Sequence, residues 1–381
     1  PSEQAPDVIA YVDPKFKMPQ VWRSNLNVDI QLPYDFMLSV GAMYTRDIYN
    51  VAQINMNEAE PTGVYNEQPD RIYWASKKYE YNDYTNGKNV VVKLSNGEDK
   101  GYQYSFNAIL TKKYDFGFTG SIGYTYTMAK DLTANPGSAP NSAWQNNVAV
   151  NSLNDPGVSY SLFSTPHRII ANASYEINYA KCLKTTFSLF YSGYHTGRYS
   201  YTYYNDMNGD GNYSDLIYVP NSQDEMTFVD ITDKSGAITY SAVDQAKDFW
   251  DFVNNDSYLK DRKGKYVERN GSLTPWINRF DFKIAQDFYA TLGGRKYGIQ
   301  VSLDMLNVGN MINSKWGAYQ SCGLKSYDNV QLLKTASKVG EPLTYQINAN
   351  SREAFKERSS WQYTNTIGSA WSMQLGVKVT F

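Results

Sequence analysis

Two cysteines, two histidines and no long apolar run are what this chain of 381 residues offers where many proteins carry their chemistry. So few cysteines exclude a disulfide scaffold. No stretch approaches the ~18 apolar residues of a membrane-spanning helix. The formal net charge is −2, so there is no basic field for nucleic acid. No nucleophile elbow, H-E-x-x-H, phosphate loop or C-x-x-C is present, and nothing in the sequence points to an enzyme. The mean hydropathy of −0.55 suits a water-soluble protein. It suits a membrane β-barrel equally, because there only every second residue need be apolar. Aromatics are abundant instead: 34 Tyr, 16 Phe and 8 Trp make 15% of residues. Tyr and Trp favour membrane interfaces, having one apolar end and one that accepts water.

The last eleven residues alternate strictly. Trp371, Met373, Leu375, Val377, Val379 and Phe381 share one face of an extended strand, and Ser372, Gln374, Gly376, Lys378 and Thr380 share the other. Such a strand has lipid on one side and water on the other. Trp371 and the closing Phe381 fit the aromatic girdle of an outer-membrane barrel. Trp22 to Leu32 repeats the pattern, as do Phe36 to Tyr44, Tyr102 to Leu110 and Phe116 to Tyr126. Further strands are predicted over 167–178, 183–195, 276–287 and 297–307. That gives roughly nine strands.

The predicted connectors are of two kinds, in alternation. Short ones lie near 33–35, 114–115, 179–182 and 289–294; long ones cover 51–100, 130–165, 199–275 and 309–368. An outer-membrane barrel has this asymmetry, with short periplasmic turns and long extracellular loops. The orientation follows: residues 1–21 belong to an extracellular loop, and the terminal strand 370–381 ends at the periplasm. Nine strands do not close a barrel in the usual even-numbered scheme, so further strands are expected from elsewhere. The chain opens P-S-E-Q-A-P, without an initiator Met or signal-peptide pattern, and reads as a piece of a longer secreted precursor.

Five stretches carry a family likeness: D-P-K-F-K-M-P-Q-V-W-R from Asp13 to Arg23, T-P-H-R-I-I from Thr165 to Ile170, D-M-N-G-D-G from Asp206 followed by D-L-I-Y-V-P from Asp215, T-P-W-I-N-R-F-D-F-K-I-A-Q-D-F from Thr274 to Phe288, and S-L-D-M-L-N-V-G-N from Ser302 to Asn310. Together they resemble the C-terminal portion of a TonB-dependent outer-membrane receptor of the Bacteroidetes type. The likeness is nearest to Oar-like receptors with a carboxypeptidase-regulatory-like domain, and more distant to SusC-like glycan importers. The resemblance implies an all-β fold: a transmembrane antiparallel barrel, roughly 22-stranded, around an N-terminal plug. This chain would supply its last nine or so strands, with the plug and N-terminal strands absent. It also implies energy-coupled import of a nutrient, of peptide or glycan class, with TonB reached through the missing N-terminal part. Outer-membrane lipid, the rest of the barrel and a surface lipoprotein are the implied partners.

Several residues invite a site reading. Asp206, Asn208 and Asp210 with Gly211 match the opening of a calcium loop, and Ile217 stands where the bidentate Glu belongs. Asp215 could substitute for it in binding Ca²⁺; the alternative is a polar turn. His167 and His195 fall opposite each other on the apolar face near the outer rim, with too few neighbouring ligands for a metal. Cys182 and Cys322 belong to opposite ends of a wall about 25 Å tall and are not expected to pair. Tyr199, Tyr201, Tyr203 and Tyr204, with Trp144, Trp250, Trp316 and Trp361, are candidate ligand-facing aromatics on the loops, against a plain packing role. Asn25, Asn27, Asp29, Gln103, Asn107, Asn172, Glu176, Arg279, Asp281, Lys283 and Asp304 are expected to face the lumen. Two other readings stay open: a structural or scaffold barrel in a surface complex, and a soluble all-β carbohydrate-binding module whose apolar faces would be buried.

Overall fold

Alternating sequence becomes alternating structure. The computed structural model describes residues 8–81, 90–213, 215–322, 325–326, 329–348, 355 and 361–381. Parts of the predicted loops 1–21, 51–100, 199–275 and 309–368 lie outside the described residues. Nine long strands run Gln20–Gln31, Phe36–Tyr49, Tyr102–Lys113, Phe118–Asp131, His167–Tyr179, Leu183–His195, Trp276–Leu292, Arg295–Leu306 and Ser372–Thr380. Each pairs antiparallel with its neighbours in sequence, and Ser159–Tyr160 adds a short tenth member beside Phe118–Asp131. Among the described residues the first and last strands have no partner on their outer edges, so the sheet is open.

Register carries the apolar face unbroken across the meander. Val28 lies opposite Val40, Val40 opposite Ala108, Ala108 opposite Tyr124, and Tyr124 opposite Ile169. Tyr175, Phe187, Ile284, Leu303 and Leu375 make another such row. The other face is polar. Asn172 Nδ2 donates to Ser121 Oγ at 2.7 Å, and Lys283 pairs with Asp304 at 2.8 Å. Gly41 leaves room on that face for the side-chain oxygens of Asn27 and Asn107, which a Cβ there would meet at 2.5 and 2.7 Å. The apolar face is uncovered: Leu26 and Leu375 are 67% and 72% exposed, and polar-face residues of the same edge strands, among them Asn27 and Gln374, are exposed as well. The buried apolar face expected of a soluble sandwich is not what these strands show.

The short connections are 32–35, 114–117, 180–182 and 293–294. Gly293 and Gly294 both take positive φ, the backbone of a tight hairpin whose twist matches its strands. The long connectors are 50–101, 132–166, 196–275 and 307–371, all at the other end of the sheet.

These connectors fold. Sequence analysis treats them as loops; the structure gives them a core of their own. Tyr65, Val148, Tyr201 and Leu332, one from each connector, belong to a single buried cluster. Arg198–Tyr203 pairs in parallel with Asn329–Thr335, tying the third connector to the fourth. The helix Ala242–Asn255 starts at Ser241, whose Oγ accepts from the Asp244 N–H, and it buries Gln245, Phe249, Phe252 and Val253. Residues 8–12, inside the predicted N-terminal loop, form a strand beside Val90–Ser95. The result is a cap with a dry interior at the long-connector end.

Candidate functional site

The cap is cross-linked by buried arginines. Arg71 is fully buried and donates to the backbone carbonyls of Val150 and Leu216 and, at 3.1 Å, to Gln68 Oε1. It lies 3.5 Å from the Asp215 carboxylate and stands 4.8 Å over the Tyr266 ring. One guanidinium thus joins three connectors, using the planar fork that suits Arg to such a junction. Arg269 does the same between connectors two and three, donating to the Leu132 carbonyl at 2.7 Å and to Asn147 Oδ1 at 2.9 Å. Arg198 donates to the carbonyls of Ser164 and Asn270 and stacks on Tyr160 at 4.3 Å. Gln68 completes the set, its Nε2 donating to the hydroxyls of Tyr203 and Tyr345 at 2.9 and 2.8 Å.

The calcium-like loop is stitched to its own backbone. The Asp206 carboxylate accepts from the N–H groups of Gly209 and Gly211 at 2.8 and 2.9 Å. Asn208 accepts from Asp210, Asp210 from Asn212, and Asp215 from Met207. Among the described residues no group of three His, Cys, Asp or Glu is arranged to hold a metal ion. Asp206, Asn208, Asp210 and Asp215 thus accept from backbone N–H groups of their own loop, and the cation facing Asp215 is Arg71. Burial still dominates the charges. It pushes Asp215 up to about 7 despite Arg71, with Asp206 adding repulsion. Asp210 is raised well above the ordinary carboxylate range by burial first, then by Asp215 and Asp206.

Most of the candidate aromatics pack inward. Tyr199, Tyr201 and Tyr203 are buried, and the Tyr201 hydroxyl donates to Asp256 at 2.7 Å. They are core residues, contrary to the ligand-facing expectation, because both faces of Arg198–Tyr203 are covered. Trp361 packs on Tyr199 at 5.1 Å, and Lys263 sits 4.5 Å over Trp250. Tyr204 and Trp316 are exposed. Trp316 lines a groove with Trp276 and Phe280, on the apolar side of the sheet. His167 Nδ1 meets the Tyr124 hydroxyl at 2.7 Å, and His195 Nδ1 meets the Thr274 carbonyl at 2.6 Å. Both histidines are structural. Cys182 is exposed in a short turn and Cys322 is buried in the cap; the two form no disulfide with each other.

Trp144 is different. It is buried, yet its ring lines a cleft of about 520 Å³ between the first two connectors. Its Nε1 donates to Asn154 Oδ1 at 3.0 Å. Ser95 and Asn147 share the floor, and Glu98, Asp99 and Asp155 stand at the rim. Sequence reasoning singled out Trp144 alone here. It missed Ser95, Arg71, Arg198 and Arg269, whose local sequence does not mark them as buried groups. No protein-family model matches this chain, and no curated protein or solved structure shows significant similarity to it.

Proposed function

We propose that this chain forms part of the wall of a bacterial outer-membrane β-barrel, and that the barrel is a TonB-dependent importer with the cap on its extracellular side. The observation that carries the reading is the inverted sheet. Apolar rows run in register across nine strands and stand uncovered, with polar residues gathered on the other face. Only a solvent of acyl chains makes that arrangement favourable. The two open edges support the same reading, since in lipid each must be paired by further strands of the barrel. The five stretches of likeness add the importer class, and with it a plug and TonB as partners.

The orientation is testable by cysteine labelling with a membrane-impermeant maleimide. Cys182 lies in a short turn and Lys234 in an exposed part of the cap. In intact cells K234C in a C182S background is expected to label, and native Cys182 only after the outer membrane is permeabilised. The opposite pattern, or recovery of the chain in the soluble fraction, overturns the reading.

A further inference from the structure

The apolar face of the sheet is not bare at its long-connector end. The fourth connector leaves its strand at Leu306, turns through Asn307 at φ 53° and folds back beside Trp276–Leu292. The Val308 N–H donates to the Phe280 carbonyl at 2.7 Å. Asn307 is fully buried, and its Nδ2 donates to the Gly317 and Ser369 carbonyls at 3.2 and 2.9 Å. Asn310 Nδ2 donates to the Ser314 and Trp316 carbonyls at 2.7 and 3.0 Å. Two asparagines thus fix the Lys315–Trp316 segment, and a groove of about 470 Å³ lies between it and the strand.

The walls of the groove are aromatic. Trp276, Asn278 and Phe280 share the face of Ile284, whose row continues to Leu303 and Leu375. Asn278 Oδ1 accepts from Trp276 Nε1 at 3.0 Å and from the Tyr191 hydroxyl at 2.8 Å. The indole donor is therefore engaged, and the Trp276 ring is left as apolar wall. Trp316 and Tyr363 line the groove from the connector, 52% and 47% exposed. Among the described residues no carboxylate lines it, and its one charged group is Lys315. That lysine is exposed, has no ion-pair partner among the described residues, and holds its ammonium 5.8 Å from the Tyr363 ring centre.

An aromatic trough that ends in one uncompensated cation complements an apolar chain with an anionic head. The trough opens on the face of the apolar rows, so a chain lying in it continues the hydrocarbon that those rows meet. Trp276 begins its strand at the long-connector end, the level at which Trp and Tyr meet headgroups. We infer that this groove holds one phosphate-bearing anionic lipid of the outer leaflet, with an acyl chain against Phe280 and Trp316 and the phosphate at the Lys315 ammonium. A zwitterionic lipid carries its own cation beside the phosphate and gains less from Lys315. An uncharged aromatic ligand would fill the trough and leave the lysine without a counter-charge. The inference deepens the membrane reading above and rests on it.

The test is quenching of tryptophan fluorescence in mixed micelles of the detergent-purified protein with brominated phosphatidylglycerol or brominated phosphatidylcholine, at low ionic strength. The difference between the parent and W316F isolates the emission of Trp316. Phosphatidylglycerol is expected to quench it at an about fivefold lower mole fraction, the preference that one lysine gives at an anionic surface. K315Q should bring the two lipids within about twofold of each other while both still quench. Lys315 is exposed, so its replacement keeps the fold; unchanged circular dichroism checks it. Equal quenching by the two lipids in the parent, or a preference that K315Q leaves unmoved, overturns the inference while the membrane reading stands. Quenching by neither lipid removes hydrocarbon from this face and takes the membrane reading with it.

Discussion

In the large sheet Leu375 stands 72% exposed; in the cap Leu332 and Leu333 are fully covered. The two regions come from one aromatic-rich chain and place its apolar residues in opposite ways. The sheet presents Leu26, Phe106, Ile122 and Leu375 outward. The cap encloses tyrosines, phenylalanines and leucines and admits charge only where it is bonded, as at Arg71. The sheet's burial depends on what surrounds it, whereas the cap brings its own apolar interior. The long connectors thus hold an apolar core of their own, and the contrast with the sheet can be attacked from either side.

The cap should be the easier to break. R71M removes the guanidinium that bonds Val150, Leu216 and Gln68 and leaves Asp215 buried without its counter-charge. Breaking a buried pair by removing one partner costs about 3–5 kcal/mol. Hydrogen exchange should show protection lost in 50–101 and 196–275 while the nine sheet strands keep theirs. Simultaneous loss in the sheet would mean that the two regions are one cooperative unit.

The sheet has a matching test that depends on solvent. L375R places a charge in the middle of an apolar row, beside Leu303. Arginine on a lipid-facing strand costs about 2–4 kcal/mol near the bilayer midplane. Q374R sits one residue away on the polar face, opposite Asp304, and should stay within about 0.5 kcal/mol of the parent. Denaturant titration of protein folded into lipid vesicles measures both. Equal, small effects would show that the apolar rows do not meet hydrocarbon.

The same contrast explains what the sequence made legible. In the sheet each strand has two unlike environments, so period-two alternation writes the strand, its faces and its register into the residue order. Trp371 to Phe381 could be placed from eleven residues alone. The cap has no such signature. In Arg198–Tyr203 both faces are buried, and the alternation of tyrosine with Arg, Ser and Thr looks like an exposed aromatic ladder when it is core. The Asx spacing from Asp206 to Gly211 correctly gives a tight turn. The cation that meets the neighbouring Asp215 is Arg71, 144 positions upstream of it. Arg269 reaches Leu132 across 137 positions. Side chains that acquire meaning only when distant connectors meet leave no local pattern to read.

The smallest expected effect separates the regions by pH. Asp215 is pushed up to about 7 in the folded cap, mainly by burial; in an opened cap it would ionise near 4, like an ordinary carboxylate. Below about 4 both forms are protonated and the cap has its full stability. Between about 4 and 7 the opened cap has lost its proton while the folded one keeps it, so opening becomes easier as pH rises. Above about 7 both are ionised and the loss levels off. Raising the pH from 6 to 8 should therefore increase the opening constant of the 206–215 loop on the order of tenfold, or about 1.4 kcal/mol. Asp206 and Asp210, also raised, act in the same direction. Hydrogen exchange corrected for intrinsic rates reads this directly, with D215N as the control that should flatten most of the response. A response of the opposite sign, with the loop tightening as its carboxylates ionise, would mean that a metal cation enters the loop beside Arg71 and Lys78.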